Sequence, residues 1–460
     1  MFKHGKTVLR SKKLDEKKVE YSPGKVHDNI VFEQGEHGSY LVYDLAEEKF
    51  LVPPRAESVW EQIETEDGQI FKPLPKLPWK PLPSSGYLEG YPPIEVLWKE
   101  IKEFLYAHID FSEPFQYDIC TAYILHTWRM ENWKVTPYLF FYGPKGSGKS
   151  QALEVLSLIC YRPITSPSFT SASLMRLAER YCASLFLDEA QIYSREEKAE
   201  LNALLNAGYK RGQSAIRTFI NKETGDEDLR FYSPFSPKCL AGTRQLLATV
   251  QDRSIVIVMS KNVRPIPLQI DELQGERLRA KLFMYRVGNL AVERGIQPIR
   301  DIPEEYLTYG RSIEILYPLI AVAPKNLKTQ FFDYASFLRN ERLEEDALSL
   351  ESRVFSAIVA VHKKYEVLIP LNDVVDLLNL NLPEVVTNRA VGAVVSKLGF
   401  YKRMYKNRTH IIWSETVYKR LIRRYPIEEM TAPTIPKEIE WNAPEGHSEG
   451  KTKGVADTYR

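Results

Sequence analysis

What this 460-residue sequence lacks narrows it first. It has only four cysteines (Cys120, Cys160, Cys182 and Cys239), far apart and without CxxC spacing, so neither a disulfide framework nor a zinc site is expected, and a reducing interior fits. It has no run of about 18 uninterrupted apolar residues and no apolar stretch behind its basic N-terminal residues. That leaves a cytoplasmic protein, neither secreted nor membrane-bound, as the expectation. It also has no overall charge excess: 62 Lys and Arg stand against 60 Asp and Glu, a net of +2, so any electrostatic partner must be read locally. No internal repeat is visible.

What is there is enough to fold. Apolar residues make up 44% and aromatics 12%, which excludes a mainly disordered chain, and the length calls for roughly two or three domains. Residues 1–71 read as a polar arm to about residue 28 and then a small β-rich region (NIVFEQ, SYLVYDLAEEKFLVP). Residues 72–93 are too dense in proline for a helix and read as a linker, or as a strap lying on the next domain. Residues 94–264 open with two helical patterns, 94–107 and 114–131, after which short apolar runs (PYLFFY, PITS, SLFLDE, PKCLAGT, SIVIVMS) alternate with helical stretches. That alternation predicts an α/β fold, a parallel sheet with helices on both faces. Residues 265–347 read as helical. Residues 348–425 read as helix, strand, helix, helix, hairpin and helix, and residues 426–460 as a polar, disordered tail.

The strongest chemical signal is Gly143-Pro144-Lys145-Gly146-Ser147-Gly148-Lys149-Ser150, a complete GxxxxGK[ST] after an apolar strand and before a helical run. Its glycines let backbone N–H groups curl around phosphates, Lys149 neutralises their charge, and Ser150 supplies a Mg²⁺ ligand, so ATP and Mg²⁺ are the expected cofactors. About forty residues on, the strand SLFL delivers Asp188 and Glu189. Asp188 suits the Mg²⁺ shell, and Glu189 suits a general base that polarises water against the γ-phosphate.

With these motifs in place, residues 95–345 resemble the AAA+ ATPases. The resemblance implies a sensor 1 residue at the end of the fourth strand, here Thr243, and an arginine finger before the fifth strand, here Arg253. It also implies a sensor 2 arginine opening a lid helix, here Arg311, with Arg277 and Arg279 as rivals. Residues 215–232 look like the pre-sensor 1 hairpin of the branch that includes minichromosome maintenance and superfamily 3 helicases. That likeness implies DNA contacts by Lys222 at the tip and by Arg217 and Arg230 on the stems. Glu223, Asp226, Glu227 and Asp228 share the hairpin and repel phosphate. The stretch 201–257 is also similar to replication ATPases of plasmids, phages and other mobile elements.

The order of elements in 348–425 resembles a winged-helix domain. Between Arg389 and Arg424 ten basic residues face one acid, Glu415, an electrostatic footprint for a phosphate backbone. Arg389, Lys397, Lys402, Arg403, Lys406 and Arg408 are the candidate contacts, with protein interaction as the other use of such a domain. Taken together, the expectation is a ring-forming replicative helicase, hexamer favoured, of an archaeal, bacterial or mobile-element system. It would hold single-stranded DNA in its channel and duplex or fork DNA at the winged helix. The alternatives are an ATP-switched initiator or loader and an AAA+ regulator that does not bind nucleic acid.

Overall fold

The computed structural model describes residues 19–427 apart from 52–59, 66–67, 84–91, 189–194, 221–224, 301, 366, 382–384 and 426. Glu189 and Lys222 therefore lie outside the described residues. Two units divide at Arg339/Asn340.

The first unit begins with two small sheets. Strands β1 (Val19–Tyr21), β6 (Ile63–Glu64) and β7 (Ile70–Lys72) form one, in the order β1-β7-β6; β2 (Gly24–His27), β3 (Ile30–Gln34), β4 (Tyr40–Asp44) and β5 (Lys49–Phe50) form the other, in that order. Residues 19–21 and 24–27, expected to belong to a loose arm, are thus strands. Their polar composition suits partly exposed edges, with Val19 pairing parallel to Ile70 and Gly24 antiparallel to Glu33. The described part of the proline-rich segment is tied to the small sheet that precedes it. The Gln34 amide exchanges two hydrogen bonds of 2.8 Å with the Leu74 backbone, and the Glu36 N–H donates to the Leu82 carbonyl. Beneath it, Glu33 receives two 2.7 Å bonds from Arg162 and one of 2.9 Å from the Tyr161 hydroxyl, all three residues being buried. Removing one partner of such a pair costs about 3–5 kcal/mol, because it strands a buried charge.

Helices α1 (Ile94–His108) and α2 (Pro114–Thr127) follow. Pro114 opens α2 at a position where no amide is needed, and Glu113 and Gln116 close a reciprocal cap. Every residue of α2 from Tyr117 to Thr127 is buried, which explains its lack of a polar face.

The central layer comprises β8 (Tyr138–Tyr142), α3 (Lys149–Ile159), β9 (Pro163–Ser166), α4 (Ser171–Tyr181), β10 (Ser184–Leu187), α5 (Arg195–Gly208), the hairpin β11 (Ala215–Ile220) and β12 (Glu227–Tyr232), β13 (Lys238–Gly242), α6 (Ala248–Gln251) and β14 (Ser254–Val258). Five of these strands form an all-parallel sheet in the order β14-β8-β13-β10-β9. Its strands are apolar on both faces because both faces are covered. Leu139 and Phe141 of β8 join the core with α1, α2, α3 and α7 (Glu272–Val292). Tyr138 and Phe140 join the core built by Leu174, Met175 and Ala178 of α4 and Leu201, Leu204 and Leu205 of α5. Helices α8 (Arg311–Val322) and α9 (Lys328–Leu348) complete the stretch expected to be helical. No helix among the described residues is long and apolar enough to cross a membrane.

The second unit holds α10 (Leu350–His362), β15 (Leu368–Pro370), α11 (Leu371–Asn381), α12 (Asn388–Leu398), β16 (Tyr401–Tyr405), β17 (Arg408–Ile412) and α13 (Glu415–Leu421). Its antiparallel sheet runs β15-β17-β16. Val354, Phe355, Ile358, Ile369, Val374, Val391, Val395 and Ile411 fill its core.

Candidate functional site

The loop 143–150 leaves the C-terminal end of β8, which lies between β14 and β13, and enters α3. Gly143 is required by space: a Cβ there would stand 2.2 Å from the Met259 carbonyl oxygen and 2.9 Å from Ser147 Oγ. Gly146 and Gly148 are required by conformation, with φ of +75° and +82°. Gly148 caps α3, so the first amides of that 11-residue helix have no partner within it and point with the positive end of its dipole. The Lys149 amine is buried and donates to the carbonyls of Gly143 (2.9 Å) and Pro144 (2.6 Å) and, at 3.4 Å, to Ser147 Oγ. Pro144, Lys145, Gly146 and Ser150 are exposed around it, and Ser147 is buried inside the turn.

The neighbouring strand ends meet this loop. The Gly143 N–H donates to the Gly242 carbonyl, so Thr243, exposed at the end of β13, lies beside the loop. Leu187 pairs with Leu240, which brings Asp188 to the same edge. The strand β14 exits there as well: the Met259 N–H donates to the Tyr142 carbonyl, and Asn262 Oδ1 is 3.5 Å from where a Cβ on Gly148 would stand. Asn262 carried no signal in the sequence, because its relation to the loop depends on β14 lying next to β8. The groups gathered here are the loop and helix N-terminal amides, the Lys145 and Lys149 ammoniums, the Ser147, Ser150 and Thr243 hydroxyls and the Asp188 carboxylate. That set fits a polyphosphate and a hard cation such as Mg²⁺, with Ser150 and Asp188 as the oxygens that would hold the ion.

Arg253 and Arg311 lie at the opposite, N-terminal edge. The Tyr138 N–H, at the start of β8, donates to the Arg253 carbonyl, and the Thr136 N–H to that of Tyr209. Both guanidiniums sit over the Tyr209 ring, Arg253 at 4.8 Å and Arg311 at 4.9 Å from its centre. Arg311 also donates to the Tyr209 hydroxyl (2.6 Å), to Asp252 (3.1 Å) and to Glu314, and Arg253 donates to the Thr249 carbonyl. The structure therefore groups Arg311 with the finger candidate rather than with the phosphate loop of its own chain. The rival Arg279 is buried and held at 3.0 Å by the Leu158 carbonyl, near the end of α3 far from Lys149; Arg277 is exposed. Sequence reasoning also missed Tyr209 and Lys238. Burial pushes the fully enclosed Lys238 amine down to about 7, while it donates to Pro234 O, Ser236 O and Ser236 Oγ.

Of the expected DNA contacts, Arg217 on β11 is tied to Glu200 of α5, and Arg230 on β12 lies 4.9 Å over the Tyr232 ring. In the second unit Lys397 pairs with Glu351, and the Lys402 amine donates to the Gly392 carbonyl of α12 at 2.7 Å. Arg389, Arg403, Lys406 and Arg408 are exposed.

No family model and no curated protein matches the chain. Among solved structures it is similar to the A-form apo structure of the NrS-1 C-terminal region, at 11% identity and a TM-score of 0.35, covering 84% of this chain and 96% of that one. The A-form apo structure of residues 305–718 of that region gives 13% identity, a TM-score of 0.33 and the same coverages. Both likenesses are too distant to bear on function. What is established is a mixed α/β chain whose five-stranded parallel sheet, flanked by helices, carries a P-loop-like turn.

Proposed function

We propose that the chain is an ATPase of the AAA+ type that couples hydrolysis to movement on DNA, as a homo-oligomeric ring with a C-terminal winged helix. The observation that carries the reading is the convergence at one sheet edge of the 143–150 loop, Asp188 and Thr243. In this reading the loop amides and Lys149 bind the β- and γ-phosphates. Ser150 and Asp188 hold Mg²⁺, which when bound offsets charge on the phosphate oxygens. Glu189 takes a proton from the attacking water, and Thr243 orients that water or the γ-phosphate. Arg253, on the far edge, serves the site of an adjacent copy.

The test is ATP turnover by the purified chain, with and without single- and double-stranded DNA. Lys149→Ala should lose tight ATP binding, whereas Glu189→Gln should bind ATP and barely hydrolyse it. Full turnover in Glu189→Gln removes its assigned role, and a wild type that neither binds nor hydrolyses ATP removes the reading. Lys222→Ala tests the motor element: it should leave DNA binding nearly unchanged and uncouple turnover from strand separation. The second reading is an ATP-switched initiator or loader without processive unwinding, favoured by the Arg217–Glu200 pair, which occupies a stem arginine that a DNA-gripping hairpin would use.

A further inference from the structure

The sheet of the second unit has two unlike faces. Ile369 and Ile411 are neighbours across β15 and β17, both fully buried, and Lys402 opposite Ile411 reaches the Gly392 carbonyl of α12; this face lies against the helices. Alternation along a strand then turns Tyr401, Arg403 and Tyr405 of β16, with Arg408 and His410 of β17, to the other face. All of β16 is exposed, Tyr401 at 77% and Tyr405 at 47%, and on β17 Arg408 is exposed and His410 half-buried. The register makes Tyr405 and Arg408 direct neighbours, and Arg403 and His410 likewise. Lys406 stands at the tip, its amine 5.4 Å from the centre of the Tyr405 ring. The tip is a tight two-residue turn, with Lys406 and Asn407 at φ of +48° and +59°, so the strand pair projects with a fixed register.

Three features restrict what this face fits. None of the residues of β15, β16 and β17 is acidic, and among the described residues no carboxylate pairs with Arg403 or Arg408. Exposed tyrosine rings alternate with these cations along one strand, Tyr401 and Tyr405 being roughly 13 Å apart at about 3.3 Å per residue. A stacking ring needs the face of a base, which a duplex hides and an unpaired strand offers.

We propose that this outward sheet face binds unpaired single-stranded nucleic acid, with bases stacked on Tyr401 and Tyr405 and phosphates met by Arg403, Lys406 and Arg408. It is separate from any duplex contact made by α12 and does not depend on ATP hydrolysis. Its cations attract the backbone of any sequence, and its rings accept any base, so binding is sequence-tolerant and salt-dependent.

The experiment uses the full chain without nucleotide, a fluorescein-labelled oligothymidylate, its RNA counterpart, and the DNA as a duplex. In parallel, a 5-iodouracil-substituted oligonucleotide is photo-crosslinked and the attachment sites are mapped by mass spectrometry. Crosslinks should fall on Tyr401 or Tyr405. Tyr401→Ala/Tyr405→Ala should weaken single-strand binding by roughly tenfold or more per ring while changing duplex binding little, and Tyr401→Phe/Tyr405→Phe should restore it, since the ring is kept. Because both side chains are exposed, the alanine variant is expected to fold, which its circular dichroism checks. Crosslinks confined to other regions, equal loss for duplex and single strand, or failure of the phenylalanine pair to restore binding would each overturn the proposal. So would a wild-type oligomer that dissociates in the alanine variant, which would make this face a contact between copies.

Discussion

The two edges of the five-stranded sheet are built from opposite materials. At the C-terminal edge the groups are mostly backbone: three glycines shape a turn, the helix α3 begins there, and the buried ammonium of Lys149 folds onto the carbonyls of Gly143 and Pro144. At the N-terminal edge the charged groups are side chains, Arg253 and Arg311 over Tyr209, with Lys238 enclosed nearby. A β-strand of five residues spans about 17 Å, so Arg253, just before β14, cannot meet the loop that follows β8 in the same chain. In the proposed function one edge receives phosphate and the other offers cations. In the proposed ring the two edges of adjacent copies face one another.

The sharpest way to break this comparison is at the cationic edge. Arg253→Ala should lower ATP turnover by roughly 10³-fold or more, the scale of an arginine finger, with ATP affinity nearly unchanged in equilibrium titration. An equal loss of affinity would tie Arg253 to folding instead. At the other edge, Gly143→Ala forces a Cβ against the backbone oxygen of Met259, an obstacle no side-chain rotation removes. Its ATP affinity should drop at least about tenfold, and its urea midpoint should fall by the equivalent of about 1–3 kcal/mol.

Arg311→Ala should act more weakly and at a distance. It frees Asp252 and Glu314, which are only partly buried, and the hydroxyl of the buried Tyr209, so the expected stability loss is about 1–2 kcal/mol, with a smaller fall in turnover than Arg253→Ala gives. If Arg311→Ala removes turnover as completely as Arg253→Ala, the two arginines act as one unit over Tyr209. The smallest effect is a slope. Between about 7 and the ordinary lysine value of 10.5, the unfolded chain binds a proton that the folded Lys238 does not, so stability rises with pH across that window; the penalty is fully present below it. Lys238→Met should flatten that rise in unfolding curves taken at pH 7 and 9.5, whatever it does to the absolute stability.

Much of this organisation was legible in the sequence because the decisive signals are local. The apolar run PYLFFY, the glycine spacing of 143–150 and the helical text after it are contiguous, and they became β8, the loop and α3. The order of elements in the second unit was equally readable, since each helix and strand there has its own period. What was not legible depends on contacts between distant segments. The strands at 19–27 are held by backbone pairing to β3 and β7, which a polar sequence does not announce. The Lys402 amine on the Gly392 carbonyl and the Arg311 guanidinium on the Tyr209 hydroxyl are contacts of the same kind, made across the fold and silent in the sequence. A basic residue in a sequence has a charge but no partner, and the partner decides its role.

The measurement that tests the facing of the two edges most directly is the ATPase rate of a mixture. Lys149→Ala and Arg253→Ala proteins, each inactive alone, are combined under conditions where co-assembly is verified by mass. The account predicts partial recovery of turnover, because some junctions then join an intact Lys149 to an intact Arg253. A co-assembled mixture with no activity above either parent would contradict it.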